Sequence, residues 1–278
     1  MHVISDIPSL RAARTAEPRP VELVPTMGAL HAGHLSLLER ARAAPGATWM
    51  TLFVNPFQFG PTEDLAEYPQ PIERDLALAD EAGVDLVFQP TRQMLYPADF
   101  ATYVDPTGPA QRWEGESRPG HFRGVATVVT ILFRICQPTR AYFGEKDYQQ
   151  LQVIRRLVRD LYLDVEIVAC PTVRDPDGLA LSSRNVYLNS EKRRAATVLY
   201  QALQTAQTAC HGGERSGGRL VEMMSAVVAA EPAATLDYAA VVDPQTLEPL
   251  ARVDTTARAL IAAHVAGVHL IDNIALTP

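Results

Sequence analysis

Two histidines three residues apart, His31 and His34, lie in the run Pro25-Thr26-Met27-Gly28-Ala29-Leu30-His31-Ala32-Gly33-His34, after a β-rich stretch at Val21–Val24 and before a helical pattern at Leu35–Ala44. Both imidazoles therefore sit around a helix N-terminus. Unpaired backbone N–H groups and the positive end of the helix dipole favour an anion there, and Gly28 and Gly33 let the backbone approach a phosphate closely. The alternative is a Gly-rich turn with two surface or metal-binding histidines.

A second constellation is Phe143-Gly144-Glu145-Lys146-Asp147-Tyr148-Gln149-Gln150, at the end of another β-rich stretch. Lys146 would reach a phosphate as a point charge, and Gln150, one turn into the helix, would face the same cleft. The plainer reading is a helix start whose Glu145 and Asp147 favour the dipole. Further on, Leu181-Ser182-Ser183-Arg184-Asn185 joins two hydroxyls to a guanidinium. That set can hold triphosphate oxygens and the charge that builds as pyrophosphate leaves, or it can be a capped turn. In Phe53-Val54-Asn55-Pro56-Phe57-Gln58-Phe59, Asn55 and Gln58 are neutral donors and acceptors suited to a hydroxy acid. Arg118-Pro119-Gly120-His121-Phe122-Arg123-Gly124 is a basic, Gly-flanked helix entry that would touch phosphate, close a loop or simply cap.

These residues need a scaffold that brings strand ends together. β-rich runs at Val21–Val24, Met50–Val54, Val84–Phe88, Ala141–Phe143 and Val165–Val168 alternate with helical patterns at Leu35–Ala44, Ile72–Ala82, Val125–Cys136 and Tyr148–Leu161. The expected fold class is α/β, a Rossmann-like doubly wound parallel sheet, with ligands at the carboxyl ends of the strands. Beyond Cys170-Pro171 the alternation stops. Ser190 is the expected N-cap of a helix over Glu191–Thr208, a helix over Leu220–Ala230 follows, and three β-like runs close the chain at Asp237–Val242, Ala259–His264 and Val268–Ile271. This gives a domain over residues 1–171, a hinge over 172–189 and a smaller α+β carboxy-terminal domain over 190–278. Long loops at Pro56–Pro71 and Pro97–Pro119 suit a functional role.

Composition narrows the class of protein. The 278 residues carry 25 Lys and Arg against 32 Asp and Glu, a formal net charge of −7, and 47% hydrophobic residues. Such a chain can bury a sizeable core and has no global attraction to nucleic acid or anionic lipid. The most apolar run, Val125–Phe133, is bounded by arginines and is well short of the ~20 residues of a membrane span. No basic-then-apolar leader opens the chain, so the expected location is cytoplasmic, and three widely spaced cysteines fit buried reduced thiols.

The H-x-G-H after a first strand is similar to the signature of the nucleotidyltransferase superfamily, and the Ser182-Ser183-Arg184 turn resembles its mobile KMSKS-like partner. PTMGALHAGH, FVNPFQF with EDLAEYP, RPGHFRGV, FGEKDYQQL, DGLALSSRN and HLIDN occur in the order and spacing of the pantothenate synthetase family, over nearly the whole chain. The resemblance implies ATP-dependent condensation of (R)-pantoate with β-alanine through a pantoyl adenylate, a Mg²⁺ requirement and a homodimer. It places Met27, Gly28, His31 and His34 in the ATP site, with His34 the proton donor and His31 its phosphate-binding companion. It gives Gly144, Lys146 and Asp147 contacts to ATP, Lys146 sharing the catalytic work. It gives Val173 a backbone contact to adenine, Leu181 an apolar contact where many relatives have methionine, and Ser182, Ser183 and Arg184 the phosphates. Gln58 and Gln150 match residues that hold pantoate, with Gln58 also near β-alanine, and Asp75 is a Mg²⁺ ligand by position only. The carboxy-terminal domain is expected to act as a lid over the water-sensitive adenylate. Rival readings are a nucleotidyltransferase acting on a phosphorylated alcohol and a nucleotide sensor without turnover.

Overall fold

The structure, a computed structural model, describes residues 1–61 and 63–278. Its contacts divide the chain into two compact units, residues 1–145 with 150–171, and residues 146–149 with 172–278.

In the first unit six strands form one parallel sheet: β1 (His2–Ile4), β2 (Val21–Thr26), β3 (Ala47–Leu52), β4 (Leu86–Phe88), β5 (Arg140–Gly144) and β6 (Glu166–Cys170), in the order β1-β4-β3-β2-β5-β6. The order reverses between β2 and β5, so the crevice at their carboxyl ends is the topological switch point. Every residue of β3 is buried, as a parallel sheet covered on both faces requires. On one face Leu37, Leu38 and Ala41 of the helix Ala32–Arg42 and Ala79 of the helix Ile72–Glu81 join Val24, Met50, Val87 and Tyr142 in one cluster. Phe143 points to the other face and meets Phe133 of the helix His121–Cys136, their ring centroids 6.4 Å apart. Fully buried Glu22 ties β2 to β5 across the switch point, accepting from Arg140 at 2.6 and 2.8 Å and from the Tyr142 hydroxyl at 2.8 Å.

The α/β alternation stands as read from the sequence, with several local differences. The strand expected at Met50–Val54 is Ala47–Leu52, because Val54 and Asn55 already turn out of the ladder. It lies between β4 and β2, so it offers no edge for pairing with a second copy. β1 and the helix Ile7–Ala16 were not anticipated, although the Asp6 side chain accepts from Ser9 N at 2.7 Å and Pro8 stands in the first turn, a readable helix start. The helix expected from Val125 begins at His121, after Gly120 in the left-handed region.

The second unit carries an antiparallel sheet of β7 (Ala234–Val242), β8 (Ala257–Val265) and β9 (Val268–Leu276), in that order. Leu199, Leu203, Leu220 and Met224 from two helices, Val198–His211 and Gly217–Ala229, share a core with Ala259, Ile261 and Val265 of β8. Asn189, rather than Ser190, is the N-cap, its side chain accepting from Lys192 N at 2.9 Å. The single helix expected over Glu191–Thr208 is two, Ser190–Ala196 and Val198–His211. They meet at Thr197, whose hydroxyl donates to the Arg194 carbonyl at 2.8 Å, a local bond that competes with the helical ladder. Residues 146–149 group with this unit and not with the sheet that precedes them in sequence.

Candidate active site

The loop leaving β2 is built to one shape. Gly28 (φ 89°) and Ala29 (φ 51°) both occupy the left-handed region. A Cβ on Gly28 would lie 2.9 Å from Asp75 Oδ2 and from Leu52 Cδ1, so only glycine fits. Fully buried Asp75 accepts from Ala29 N and from Leu30 N, each at 2.8 Å. Both carboxylate oxygens therefore brace the loop, which gives Asp75 a task other than the Mg²⁺ ligation expected from its position. His31 is the N-cap of the helix Ala32–Arg42. Its Nδ1 accepts from Gly33 N at 3.1 Å, while His34 Nδ1 accepts from His31 N at 3.4 Å, a capping box made from two imidazoles whose centroids are 4.1 Å apart. With Nδ1 accepting, the neutral ring carries its proton on Nε2. The histidines thus shape the helix N-terminus.

Met27 and Gly28 line a cavity of about 410 Å³ with Phe53, Gln70, Gln89 and Arg92, beside the carboxyl ends of β2, β3 and β4. Gln70, Gln89 and Arg92 were not singled out from the sequence. Gln89 directly follows β4, and that place was the available signal.

The loop after β3 divides its two amides. Asn55 is buried and its amide is engaged at both ends: Nδ2 donates to the Gly124 carbonyl at 3.1 Å, and Oδ1 accepts from the Tyr96 hydroxyl at 2.8 Å and from Phe57 N at 3.3 Å. Burial, and then the neighbouring Tyr103, push the Tyr96 phenol above its ordinary value, so it remains a donor. Asn55 therefore anchors the loop, a different task from the acid recognition its type suggested. Gln58 is also buried, and its backbone is held. Its N–H donates to the Asn55 carbonyl at 3.2 Å, and its carbonyl accepts from Arg118 Nη2 at 3.2 Å and lies 2.8 Å from His121 Nδ1. Among the described residues its side-chain amide makes no hydrogen bond, and neither does that of Gln150, so both can still bind. Gly124 lets the helix press on this loop, since a Cβ there would lie 2.0 Å from the Phe57 carbonyl oxygen.

Arg118 also grips Glu63 through two bonds of 3.0 and 2.7 Å. Burial pushes the Glu63 carboxyl up, but the Arg118 hydrogen bond and charge outweigh it and hold the group below its ordinary value. Of the roles open to the Arg118–Gly124 run, loop closing is the one the contacts supply.

In the second unit Lys146 Nζ lies 3.2 Å from Asp147 Oδ1, and the Lys146 carbonyl accepts from Asn273 Nδ2 at 2.8 Å. Asn273 Oδ1 in turn accepts from Arg258 Nε at 2.7 Å, and the Arg258 guanidinium lies over the Tyr148 ring, 4.0 Å from its centroid. The Tyr148 hydroxyl donates to the Pro244 carbonyl at 3.0 Å. Arg174 makes two bonds to Asp272, at 2.5 and 2.8 Å, and one to the Asn273 carbonyl at 3.2 Å. Within the terminal HLIDN run, Asn273 thus holds the Lys146 backbone and Asp272 pairs with Arg174, contacts that sequence reasoning did not give it. Val173 and Leu181 face each other across a short hairpin, the Val173 carbonyl accepting from Leu181 N at 3.0 Å. Ser182 caps the turn Ser183–Tyr187, its hydroxyl accepting from Arg184 N at 3.3 Å.

A doubly wound parallel sheet with this H-x-G-H loop beside its switch point defines the class, an α/β enzyme that handles nucleotides. The family model for pantoate-beta-alanine ligase matches residues 2–275. The pantothenate synthetase of Roseiflexus castenholzii is 54% identical over 276 residues, covering 99% of each chain. A pantothenate synthetase structure from Thermus thermophilus superposes with a TM-score of 0.96 at 50% identity over 100% of both chains. A Francisella tularensis pantoate-beta-alanine ligase, complexed with beta-gamma ATP and beta-alanine, gives a TM-score of 0.82 at 33% identity, over 99% of this chain and 97% of that one. The chain belongs to the pantoate–β-alanine ligase family. It is a ligase that consumes ATP to join pantoate and β-alanine. No helix among the described residues is long and apolar enough to cross a membrane.

Proposed function

We propose that the residues described above divide the two half-reactions of this ligase between phosphate handling and acid recognition. The observation that carries this reading is the contrast at Gln58, whose backbone is fixed by three contacts while its buried amide is left without an internal partner among the described residues. A rigidly held, unpaired amide is pre-organised for a ligand. Gln58 and Gln150 hold the pantoate carboxylate and hydroxyls, and Gln58 also serves the β-alanine site.

The pantoate carboxylate must approach an α-phosphate that is itself anionic, so cations and N–H donors have to offset the repulsion and align the attack. His34 stands in the first turn of the helix Ala32–Arg42 as the proton donor, and His31, the N-cap of that helix, is its phosphate-binding companion. Met27 and Gly28 shape the nucleotide pocket. Gly144, Lys146 and Asp147 bind ATP, the Val173 backbone contacts the adenine, Leu181 supplies an apolar contact, and Ser182, Ser183 and Arg184 hold the phosphates. Mg²⁺ binds proteins chiefly through substrate phosphates and one or two carboxylates, and Asp147, with a side chain 47% exposed beside Lys146, is a carboxylate of that kind. When bound, Mg²⁺ neutralises phosphate charge. The carboxylate displaces pyrophosphate from the α-phosphate, the β-alanine amine then attacks the acyl carbon of the adenylate to form the amide as AMP leaves, and no covalent bond to the enzyme is required. The compartment we assign is the cytoplasm.

Gln58→Ala and Gln150→Ala should each raise KM for pantoate about ten- to hundredfold, the worth of one hydrogen bond to a charged group, while KM for ATP stays within a few-fold. Steady-state kinetics with each substrate varied checks this, and a loss confined to ATP would displace the acid pocket from these glutamines. We also propose a homodimer. The first sheet ends in β1 and β6, whose outer edges have no partner strand among the described residues. Light scattering should give twice the chain mass of 30.4 kDa, and a monomer at working concentration would refute it.

A further inference from the structure

The three-stranded sheet of the second unit carries a side-chain cluster that the ligase reaction does not use. β8 and β9 are joined by the two-residue turn Ala266-Gly267, with φ of 48° and 87°, which sets His264 directly opposite His269. Positive φ at both turn residues matches the twist of the strands, so local backbone chemistry fixes this register. The two rings stand 4.8 Å apart, centroid to centroid. On the other side of β8, the register with β7 shifts between Leu236 and Tyr238, leaving Asp237 as the extra residue. The Asp237 carboxylate reaches His269 Nε2 at 3.2 Å. One ligating atom from each of the three residues lies within 4.8 Å of the others.

Directly opposed imidazoles repel each other once both are protonated, and a bulge interrupts the ladder, so neither feature is an obvious gain for the sheet alone. Both become useful if something draws on the two ring lone pairs and the carboxylate together. We propose that Asp237, His264 and His269 form a binding site for a divalent transition-metal ion of the zinc class. Two imidazoles and one carboxylate are a donor set zinc accepts, with water completing the tetrahedron at an exposed site. Bonds of about 2.0–2.1 Å in a tetrahedral site place donor atoms ~3.4 Å apart. The His269–Asp237 pair, at 3.2 Å, is already close to that spacing, and side-chain rotation brings in the third donor. Imidazole nitrogens select zinc, nickel or copper over Mg²⁺, which prefers oxygen. His264 lies six residues along β8 from Arg258, about 20 Å in an extended strand, so the ion is remote from the residues that hold Lys146. Its direct effect is to clamp β7, β8 and β9 together.

The test uses the full chain, stripped with a chelator and titrated with ZnCl₂ against a chromophoric competitor. The native chain should take up one equivalent, and the melting temperature should rise with added zinc. His264→Ala and His269→Ala should each weaken uptake about 100-fold or more and abolish the thermal shift, and Asp237→Asn should weaken it about tenfold. Cobalt substitution should give the visible absorption of a tetrahedral site in the native chain and lose it in the histidine variants. Should an alanine variant fail to fold by circular dichroism, His264→Gln replaces it. A native chain that takes up no zinc at micromolar concentration overturns the proposal. So does uptake unchanged in the His264→Ala/His269→Ala double variant, which would place the ion elsewhere, His31 and His34 included.

Discussion

His34→Ala and Lys146→Ala should each lower the rate of pantoyl-adenylate formation by about 10²-fold or more, because removing one pre-organised donor to transition-state charge typically costs ~3 kcal/mol. Pantoate-dependent exchange of pyrophosphate into ATP reads that step without the second half-reaction. The two variants should differ in structure as well as in rate. His34 accepts the His31 N–H, so its loss also removes half of the capping box and should lower stability by about 1 kcal/mol. Lys146 Nζ pairs with Asp147 at 3.2 Å, an exchange between neighbours in the chain, so Lys146→Ala should leave the melting temperature nearly unchanged. Asn273→Ala gives the intermediate case. It removes the amide that holds the Lys146 carbonyl and leaves the lysine itself, so adenylate formation should fall by less than in Lys146→Ala. Near-native exchange in both His34→Ala and Lys146→Ala would dismiss the phosphate assignment.

The part of this arrangement that could be read from the sequence is the part governed by local chemistry. The alternation of β-rich and amphipathic runs announces the parallel sheet because each run's period survives folding, and the glycines and histidines of the Met27–His34 loop are adjacent in the chain. The residues that fix the site act over long separations, and their role cannot be seen without the fold. Asp75 is 45 and 46 residues from the two N–H groups it accepts, Gly124 is 69 from Asn55, and Asn273 is 127 from Lys146. Asn55 and Gln58 show the difference within one loop. Both are amides past a strand end, but one is used up internally by Tyr96 and Gly124, and only the packed structure separates the engaged amide from the one that makes no hydrogen bond among the described residues. The same holds for the carboxy-terminal sheet. The sequence does not show that Asn273 and Arg258 of this sheet hold the backbone of Lys146, so a chain truncated after Asn189 would lose that support.

Asp75→Asn should lower kcat by about 10²-fold with the fold retained, and raising Mg²⁺ should not restore it. The substitution keeps the volume but turns one of two acceptor oxygens into a donor, which then opposes the N–H of Ala29 or Leu30 inside a fully buried site. An unsatisfied buried pair of that kind costs about 1–3 kcal/mol. Moving the loop to relieve it would disturb the left-handed conformations at Gly28 and Ala29, which carry the chain into His31 and His34. A small displacement of a group that orients transition-state charge is enough for a hundredfold loss. The dependence on Mg²⁺ separates this reading from the one suggested by position alone. If Asp75 were a ligand to the ion, weakening it would raise the Mg²⁺ requirement, and saturating metal would recover most of the rate. If it is the brace seen here, the Mg²⁺ midpoint stays where it is and the maximal rate stays low. Kinetics at several fixed Mg²⁺ concentrations, alongside thermal denaturation of both chains, decide between them, and recovery at high Mg²⁺ would return Asp75 to the metal.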